Sequence, residues 1–329
     1  MKRFHTLLLI LVGFFLTTIA FTEKSFSAEK YPVKPIRILV TKSIGGSVDS
    51  AMRLLQPFLQ ANLGVPVVIE NITSGGGRVA ASQVFKAQPD GYTLLCAPLP
   101  SAIIGQLMYE NQADFRKLTP VFNIMQTFQT ITVANNSKFN SFKDIIEYSK
   151  TKRILMAGSG GAGSNASIVY AKLKKLGVKN LTMVPFPGAS EAAAAVIGGH
   201  TDISSQSTDG VLTYVENKTL RVIAVCAPER ISFLPNVPTF KELGYDFIVP
   251  LTSSLFGPPD MDRNKVKVLN DAFKKALANE KFEASRAQLN VAVYPLNSNQ
   301  LSKLVKDNFS MLTKTLELIK EADAQTAAK

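Results

Sequence analysis

The stretch Ile36-Arg37-Ile38-Leu39-Val40 runs directly into Thr41-Lys42-Ser43-Ile44-Gly45-Gly46-Ser47-Val48-Asp49. The first part is a short apolar run bounded by turn residues, which predicts a buried strand. The second part predicts a glycine-rich turn, after which apolar residues recur at helical spacing as far as Leu59, with Ser47 as the N-cap. Pro57 is expected to bend this helix. A strand that turns tightly into a helix is the building unit of α/β folds.

The same alternation continues along the chain. Helical periodicity separates the apolar runs, and one helix is predicted to open at Ser141 with Asp144 three residues further on. Further strands are predicted at Val67–Ile69, Tyr92–Cys96, Ile131–Val133, Ile154–Met156, Leu181–Val184 and Arg221–Val225. This order predicts an α/β fold with mostly parallel sheets.

If residues 1–28 of the 329 are removed as a signal peptide, 329 − 28 = 301 residues remain, which is the size where a single core divides into two. No Pro-, Gly- or Ser-rich linker separates two halves, so short strands are expected to join the lobes, with the chain crossing at Phe122–Gln129 and Phe247–Phe256. We therefore expect a discontinuous first lobe of residues 29–125 and 251–329. Residues 126–250 would form the second lobe.

The N-terminal region has the pattern of a secretory signal peptide over residues 1–28. A positively charged start precedes the apolar run Leu7–Phe21, and small residues follow. The run is shorter than the roughly 20 residues of a spanning helix. Cleavage is expected after Ala28, or after Ser27. Because no cysteine accompanies this segment to carry a lipid anchor, the expected location is the periplasm.

Charge and cysteine content narrow the function classes. The formal net charge is +12, but the basic residues are scattered and there is no tryptophan. This favours a solvated surface that attracts anionic solutes over a nucleic-acid interface. Cys96 and Cys226 each end an apolar run, which predicts two separate buried thiols, although the compartment would permit a disulfide.

Two further glycine-rich turns follow strands and open helices. They are Gly158-Ser159-Gly160-Gly161-Ala162-Gly163-Ser164-Asn165 and Pro185-Phe186-Pro187-Gly188-Ala189-Ser190. Helix N-termini present unpaired N–H groups and a positive dipole end, so each turn is a candidate anion site. Taken singly, each turn is explained better as a tight connection and helix cap than as an anion site. Three of them in one α/β chain favour ligand binding at the strand ends.

Several catalytic and cofactor sites can be set aside. Gly158, Gly160 and Gly163 match a dinucleotide-binding fingerprint, but no acid is placed to hold a ribose. No lysine follows Gly163, which excludes a P-loop. A hydrolase would need His200 beside an activated serine, and neither a metal-ligand cluster nor a cofactor motif is evident. We expect a protein that is not an enzyme and that binds no metal or cofactor.

At these segments the chain resembles the Bug-type extracytoplasmic solute receptors, the binding subunits of tripartite tricarboxylate transporters. The order and spacing of nine short motifs carry the resemblance from Tyr31 to the last helix. The motifs are Tyr31-Pro32-x-Lys34-Pro35-Ile36-Arg37, Gly45-Gly46-Ser47-x-Asp49, Val67–Asn71 with Gly75-Gly76-Gly77, Asp90–Leu95, Gly158–Ser164, Val184-Pro185-Phe186, Gly198-Gly199-x-x-Asp202, Leu220-Arg221 and Leu234–Thr239.

The resemblance implies two α/β lobes of the periplasmic-binding-protein type, with a ligand cleft between the lobes and a carboxylate ligand in it. Ser43–Ser47 would hold this ligand from the first lobe, and Ser159–Asn165 from the second, helped by the segment after Asp202. Asp49 is expected to cap its helix or to order the loop. The full predicted ligand-contacting set is Lys42, Ser43, Ile44, Gly45, Gly46, Ser47, Asp49, Ser101, Ser159, Gly160, Ser164, Asn165, Gly188 and Gln206.

Three departures from the family pattern bear on the ligand. Lys42 replaces an aromatic or apolar residue, and would either pair with a second ligand carboxylate or point to water. Asn165-Ala166 replace a frequent Pro-His pair. Gln206 stands where an aspartate is common, which weakens a site for a ligand ammonium group. These changes favour a purely anionic ligand over an amino acid.

The function expected from the sequence is a monomeric periplasmic receptor. It would capture a small di- or tricarboxylate, or a related organic acid, for the membrane subunits of a tripartite tricarboxylate transporter. One alternative is a receptor that delivers the same ligand to a sensor kinase. Another is an exported serine hydrolase that uses Ser47 or Ser164 with His200.

Overall fold

The computed structural model of the protein describes residues 30–45, 47–109, 113–159, 164–286 and 293–327. The predicted signal peptide, Gly46 and Gly160 lie outside the described residues, and so does the side chain of Ser47. Within these ranges, none of the helices combines the length and the apolar composition needed to cross a membrane.

Strands and helices alternate along the described chain. The strands are β1 Ile36–Val40, β2 Val67–Asn71, β3 Thr93–Leu99, β4 Thr119–Ala134, β5 Ile154–Ser159, β6 Leu181–Phe186, β7 Ile203–Ser207, β8 Leu220–Val225, β9 Pro250–Gly257 and β10 Val293–Leu296. The α-helices are α1 Ser47–Leu63, α2 Arg78–Phe85, α3 Ser101–Met108, α4 Phe142–Ser149, α5 Asn165–Lys175, α6 Ala189–Ile197, α7 Thr208–Glu216, α8 Arg263–Leu277, α9 Glu280–Arg286 and α10 Ser298–Ala327. A 3-10 turn at Ser74–Gly77 precedes α2.

The strands form two sheets that share β4. The first has the order β2-β1-β3-β9-β4 and the second continues β4-β7-β5-β6, while β8 and β10 also pair with β4. Strand β4 pairs with β9 from Thr119 to Phe128 and with β7 from Gln129 to Thr132. The long strand therefore passes from one sheet into the other near Gln129, within the predicted crossing Phe122–Gln129.

The prediction of mostly parallel sheets is wrong. The strands β2, β1 and β3 are parallel, as are β6, β5 and β7. Strand β9 runs antiparallel to β3 and to β4, and β4 runs antiparallel to β7 and β8. The first sheet is mixed because β9 runs antiparallel to β3, and the second is mixed because β4 runs antiparallel to β7.

Of three local features predicted for the helices, one is confirmed, one is wrong and one stays untested. Ser141 and Asp144 form a reciprocal capping box at the start of α4, in which the Asp144 N–H donates to Ser141 Oγ at 3.2 Å. Helix α1 begins at Ser47 itself, so this residue is the first helical residue and not the N-cap. Pro57 lies inside α1, and the expected bend stays a prediction.

Cys96 and Cys226 are separate buried thiols, as predicted. Burial raises the pKa of the Cys96 thiol to about 12 and also raises the pKa of the Cys226 thiol. Both are therefore neutral, poorly nucleophilic side chains that serve as small apolar groups in the core.

Candidate functional site

A cavity of about 590 Å³ lies where the ends of the parallel strands face one another from the two sheets. The first sheet supplies the residues that follow β1 and β3 and the start of α2. The second sheet supplies the residues that follow β5, β6 and β7. The shared strand β4 and its neighbour β9 contribute Thr127, Gln129 and Thr252 between them. Ligand sites of open α/β folds lie at such strand ends.

The structure brings seven of the predicted residues to the wall of this cavity. They are Lys42, Ser101, Ser159, Ser164, Asn165, Gly188 and Gln206. Residues from all three glycine-rich turns are thus gathered around one space, although they are far apart in the sequence. Their contact with a ligand stays a prediction.

The middle of the first turn does not line the cavity. Ser43, Ile44 and Gly45 are exposed, with Ile44 at 75% of its full exposure. Asp49 is buried and also lies outside the lining. The turn places its Lys42 end at the cavity and leaves the next three residues in solvent.

Asp49 orders this turn through hydrogen bonds. It accepts bonds from Gly45 N at 2.9 Å, from Asn71 Nδ2 at 2.8 Å and from Arg53 Nε at 3.0 Å. Burial acts to raise the pKa of the Asp49 carboxyl, but the bonds from Arg53, Gly45 and Asn71 together leave this pKa below its ordinary value. Asp49 is therefore an ionised anchor of the loop, which is one of the two roles expected from the sequence.

Lys42 is a cationic group of the cavity wall. Asn71 Nδ2 donates to the Lys42 carbonyl oxygen at 2.9 Å and so holds the backbone next to the turn. The side chain is reached by solvent, yet the surrounding protein partly replaces water and lowers the pKa of its ammonium group. No ion pair of Lys42 is found among the described residues, which leaves its charge for a ligand anion.

Arg78 is a second cation in the wall and was missed by the sequence analysis. It follows Gly75, Gly76 and Gly77, whose positive φ angles of 62°, 69° and 92° turn the chain tightly into α2. Arg78 Nε donates to the Gly75 carbonyl oxygen at 2.6 Å, and the guanidinium lies 4.0 Å from the Tyr109 ring centroid. The sequence feature that could have identified Arg78 is the run of three glycines directly before it.

A row of buried polar side chains forms another part of the wall. Ser205 Oγ donates to Gln129 Oε1, and Gln206 Nε2 donates to the Ala189 carbonyl oxygen at 3.2 Å. Gln129 and Ser205 were not predicted to belong to the site. The sequence feature that could have identified Ser205 is the run of polar residues in Ile203–Ser207. This run forms a strand in which four of the five residues are buried.

Within the described residues, the first turns of six helices line the cavity wall. They supply Val48, Arg78, Ser101, Asn165, Ala189 and Asp209. The positive ends of these helix dipoles therefore lie at the cavity wall. Together with Lys42 and Arg78, this arrangement favours an anionic ligand.

The described residues give no support to catalysis or to metal binding at this site. Ser164 lines the cavity and caps α5, but His200 is not part of the lining, so the two are not brought together there. The described chain also contains no group of three or more His, Cys, Asp and Glu side chains placed to hold a metal ion.

Comparison with known proteins identifies the family. The TctC family, described as "Tripartite tricarboxylate transporter family receptor", matches residues 51–323. The "UPF0065 protein in gbd 5'region" of Cupriavidus necator is 30% identical over 300 residues, which cover 91% of each chain. The periplasmic binding protein BugD has a TM-score of 0.74 at 26% identity, with 89% of this chain and 99% of that chain covered.

A more distant structure shares the fold. MatC from Rhodopseudomonas palustris, solved with bound malate, has a TM-score of 0.73 at 24% identity and covers 88% of this chain and 100% of that chain. These matches confirm the predicted two-lobed fold of the periplasmic-binding-protein type. The chain therefore belongs to the tripartite tricarboxylate transporter receptor family, whose members include the Bug-type solute-binding proteins.

Proposed function

We propose that this chain is a periplasmic receptor that captures a small di- or tricarboxylate, or a related organic acid, and presents it to the membrane subunits of a tripartite tricarboxylate transporter. In this proposal residues 1–28 are a cleaved signal peptide and the mature protein is a monomer that catalyses no reaction. Residues 29–125 with 251–329 form one lobe, and residues 126–250 form the other.

The charge pattern of the cavity carries the proposal. Lys42 and Arg78 make no ion pair within the described part of the chain, and the first turns of six helices line the same space. A hydrogen bond between charged partners contributes about 1.5–3 kcal/mol. Bonds from Lys42 and Arg78 would together contribute about 3–6 kcal/mol, the larger part of the roughly 8 kcal/mol that micromolar affinity requires, and the helix N-termini would supply the remainder.

The volume of the cavity and the ligand bound by a protein of the same fold both support a small carboxylate ligand. A space of about 590 Å³ lies within the range of small-molecule sites, about 300–1,000 Å³. A protein of the same fold, MatC from Rhodopseudomonas palustris, holds malate, a small dicarboxylate. The family description names receptors of tricarboxylate transporters, which supports the membrane partner.

A thermal-shift screen tests this proposal. The protein is unfolded and refolded to remove bound ligand, and then heated with mono-, di- and tricarboxylates and with their uncharged amides. A ligand that binds the folded protein at about 100 times its Kd should add roughly 2.7 kcal/mol to the free energy of unfolding. We expect a shift with one class of di- or tricarboxylates and none with the matching amides. No shift with any acid would contradict the proposal.

A further inference from the structure

Asp209 is an acid in the wall of an otherwise cationic cavity. It lies in the first turn of α7, directly after the polar strand β7, and lines the cavity with Gln206 and Ser207. Its Oδ1 atom is buried and has no hydrogen-bond partner in the described part of the chain. The receptor function proposed above assigns no role to this carboxylate.

The unpartnered oxygen of Asp209 is more informative than the other buried polar atom of the wall. Asn165 Oδ1 also lacks a partner among the described residues, but rotation of its amide would present a donor in place of the acceptor. An ionised carboxylate can only accept hydrogen bonds. The missing partner of Asp209 must therefore be a donor.

A purely structural role explains Asp209 only in part. An acid in the first turn of a helix is stabilised by the helix dipole, and this effect also operates on exposed acids. The helix dipole therefore does not explain why Asp209 Oδ1 is buried without a hydrogen-bond donor. Buried polar groups in native proteins are almost always hydrogen-bonded, and the exceptions tend to lie where a water, an ion or a ligand supplies the partner.

The charges of the wall are divided between the two sheets. Lys42 follows β1 and Arg78 begins α2, both on the first sheet, whereas Asp209 follows β7 of the second. A ligand that spans the cavity thus meets cations on one side and an acceptor on the other. A plain dicarboxylate would leave Asp209 without a donor and would face repulsion from it.

We propose that Asp209 is a specificity-determining residue that accepts a hydrogen bond from a hydroxyl or a protonated amino group of the ligand. The carboxylate ligand then carries such a donor next to its acidic groups. This inference rests on the proposed receptor function and narrows its ligand class. Gln206 favoured a purely anionic ligand without an ammonium group. Such a ligand satisfies Asp209 only if it carries a hydroxyl, as a hydroxy acid does.

Three four-carbon dicarboxylates that differ in one substituent test the inference. Succinate has no donor, malate carries a hydroxyl and aspartate carries an ammonium group. Their affinities for the refolded, ligand-free protein are measured by calorimetry. We expect malate or aspartate to bind at least about tenfold more tightly than succinate. Tighter binding of aspartate would identify the ammonium group as the donor. Tighter binding of malate would identify the hydroxyl.

Variants assign the preference to Asp209. In Asp209→Ala the ratio of the affinity for malate or aspartate to the affinity for succinate should fall to near one. The affinity for succinate itself should be unchanged or higher. The near-isosteric Asp209→Asn should lose the ammonium preference and keep part of a hydroxyl preference, since its amide oxygen still accepts a bond. The control Asp144→Ala removes a first-turn acid of α4 and should lower stability without altering the ranking.

Two results would overturn the inference and leave the receptor function standing. One is a protein that binds succinate as tightly as malate and aspartate. The other is a preference that survives unchanged in Asp209→Ala. If none of the carboxylates in this series or in the wider screen binds, the proposed function fails and the inference fails with it.

Discussion

Lys42 and Arg78 are the two cations of the cavity wall, and they differ in how they respond to pH. Loss of solvation lowers the pKa of the Lys42 ammonium, so this group loses its proton at a lower pH than a free lysine. The guanidinium of arginine stays charged throughout the accessible range. The contribution of Lys42 to anion binding should therefore vanish first as the pH rises.

We expect the affinity for a carboxylate ligand to fall as the pH is raised through the lowered pKa of Lys42. In Lys42→Arg the affinity should be nearly independent of pH over the same range, because the charge persists. In Lys42→Met it should be weaker by about tenfold or more at neutral pH. Calorimetry suits these measurements because the chain contains no tryptophan. Equal pH profiles for the wild-type protein and Lys42→Arg would exclude a contact between Lys42 and the ligand.

Asp49 acts on stability and only indirectly on binding. Its folded pKa is lowered, so its stabilising contribution is present above the ordinary value of 3.8 and is lost as the pH falls toward the folded value. We expect Asp49→Ala to lower the free energy of unfolding by about 2 kcal/mol at neutral pH. The variant should also lose less stability than the wild type on acidification. Denaturant titrations at several pH values measure both effects. An equal loss of unfolding free energy on acidification in the wild type and in Asp49→Ala would contradict this role.

At the scale of elements, the entry into α2 is the most tightly constrained turn of the cavity. Gly76 and Gly77 both have positive φ angles, which L side chains rarely adopt. A Cβ on Gly77 would lie 2.4 Å from Thr41 Cβ, whereas a Cβ on Gly76 would have open space. Both positions have positive φ angles, 69° at Gly76 and 92° at Gly77, and of the two only Gly77 approaches the strand end before Lys42.

These glycines provide a matched pair of substitutions. Gly76→Ala should cost about 1–2 kcal/mol of stability from backbone strain, and, although Gly76 also lines the cavity, ligand affinity should fall less than in Gly77→Ala. Gly77→Ala should cost clearly more, because Thr41 must move, and it should weaken binding by displacing the neighbouring Lys42. Thermal unfolding and calorimetry on both variants measure the difference. Equal effects at the two positions would show that the contact with Thr41 is unimportant.

The elements also show how far the sequence alone could go. The strands β1 and β8 were predicted to within one residue, because each is a short apolar run between turn residues. The prediction Ile131–Val133 captured only the end of β4, since polar residues such as Asn123 and Gln129 interrupt the apolar pattern of this strand. These polar side chains are buried because β4 passes between two sheets, a tertiary arrangement that periodicity does not encode.

The site was predicted in part for the same reason. Glycine-rich turns identified Lys42, Ser164 and Gly188 because their chemistry is local. Arg78, Gln129 and Asp209 join them only through long-range pairing of strands, which no local pattern reveals. Ile44 was predicted to contact the ligand but lies exposed outside the cavity lining.

For the whole molecule, β4 and β9 are the structural link between the two sides of the cavity. They lie next to each other in the first sheet, and β4 continues into the second. A ligand that contacts Lys42 and Arg78 on one side and the β7–α7 connection on the other would bridge both sheets. Its binding energy would then be shared between residues of both sheets.

The most direct test is a calorimetric titration of ligand-free protein with the carboxylate found by the thermal-shift screen. The wild type is compared with the double variant Lys42→Met/Arg78→Met and with Lys86→Met/Lys143→Met, which removes two exposed charges outside the cavity. We predict binding of one ligand per chain, a loss of about 100-fold or more in the cavity variant, and affinity within about threefold of the wild type in the control. Equal affinities for the two double variants would contradict the assignment of this cavity as the carboxylate site.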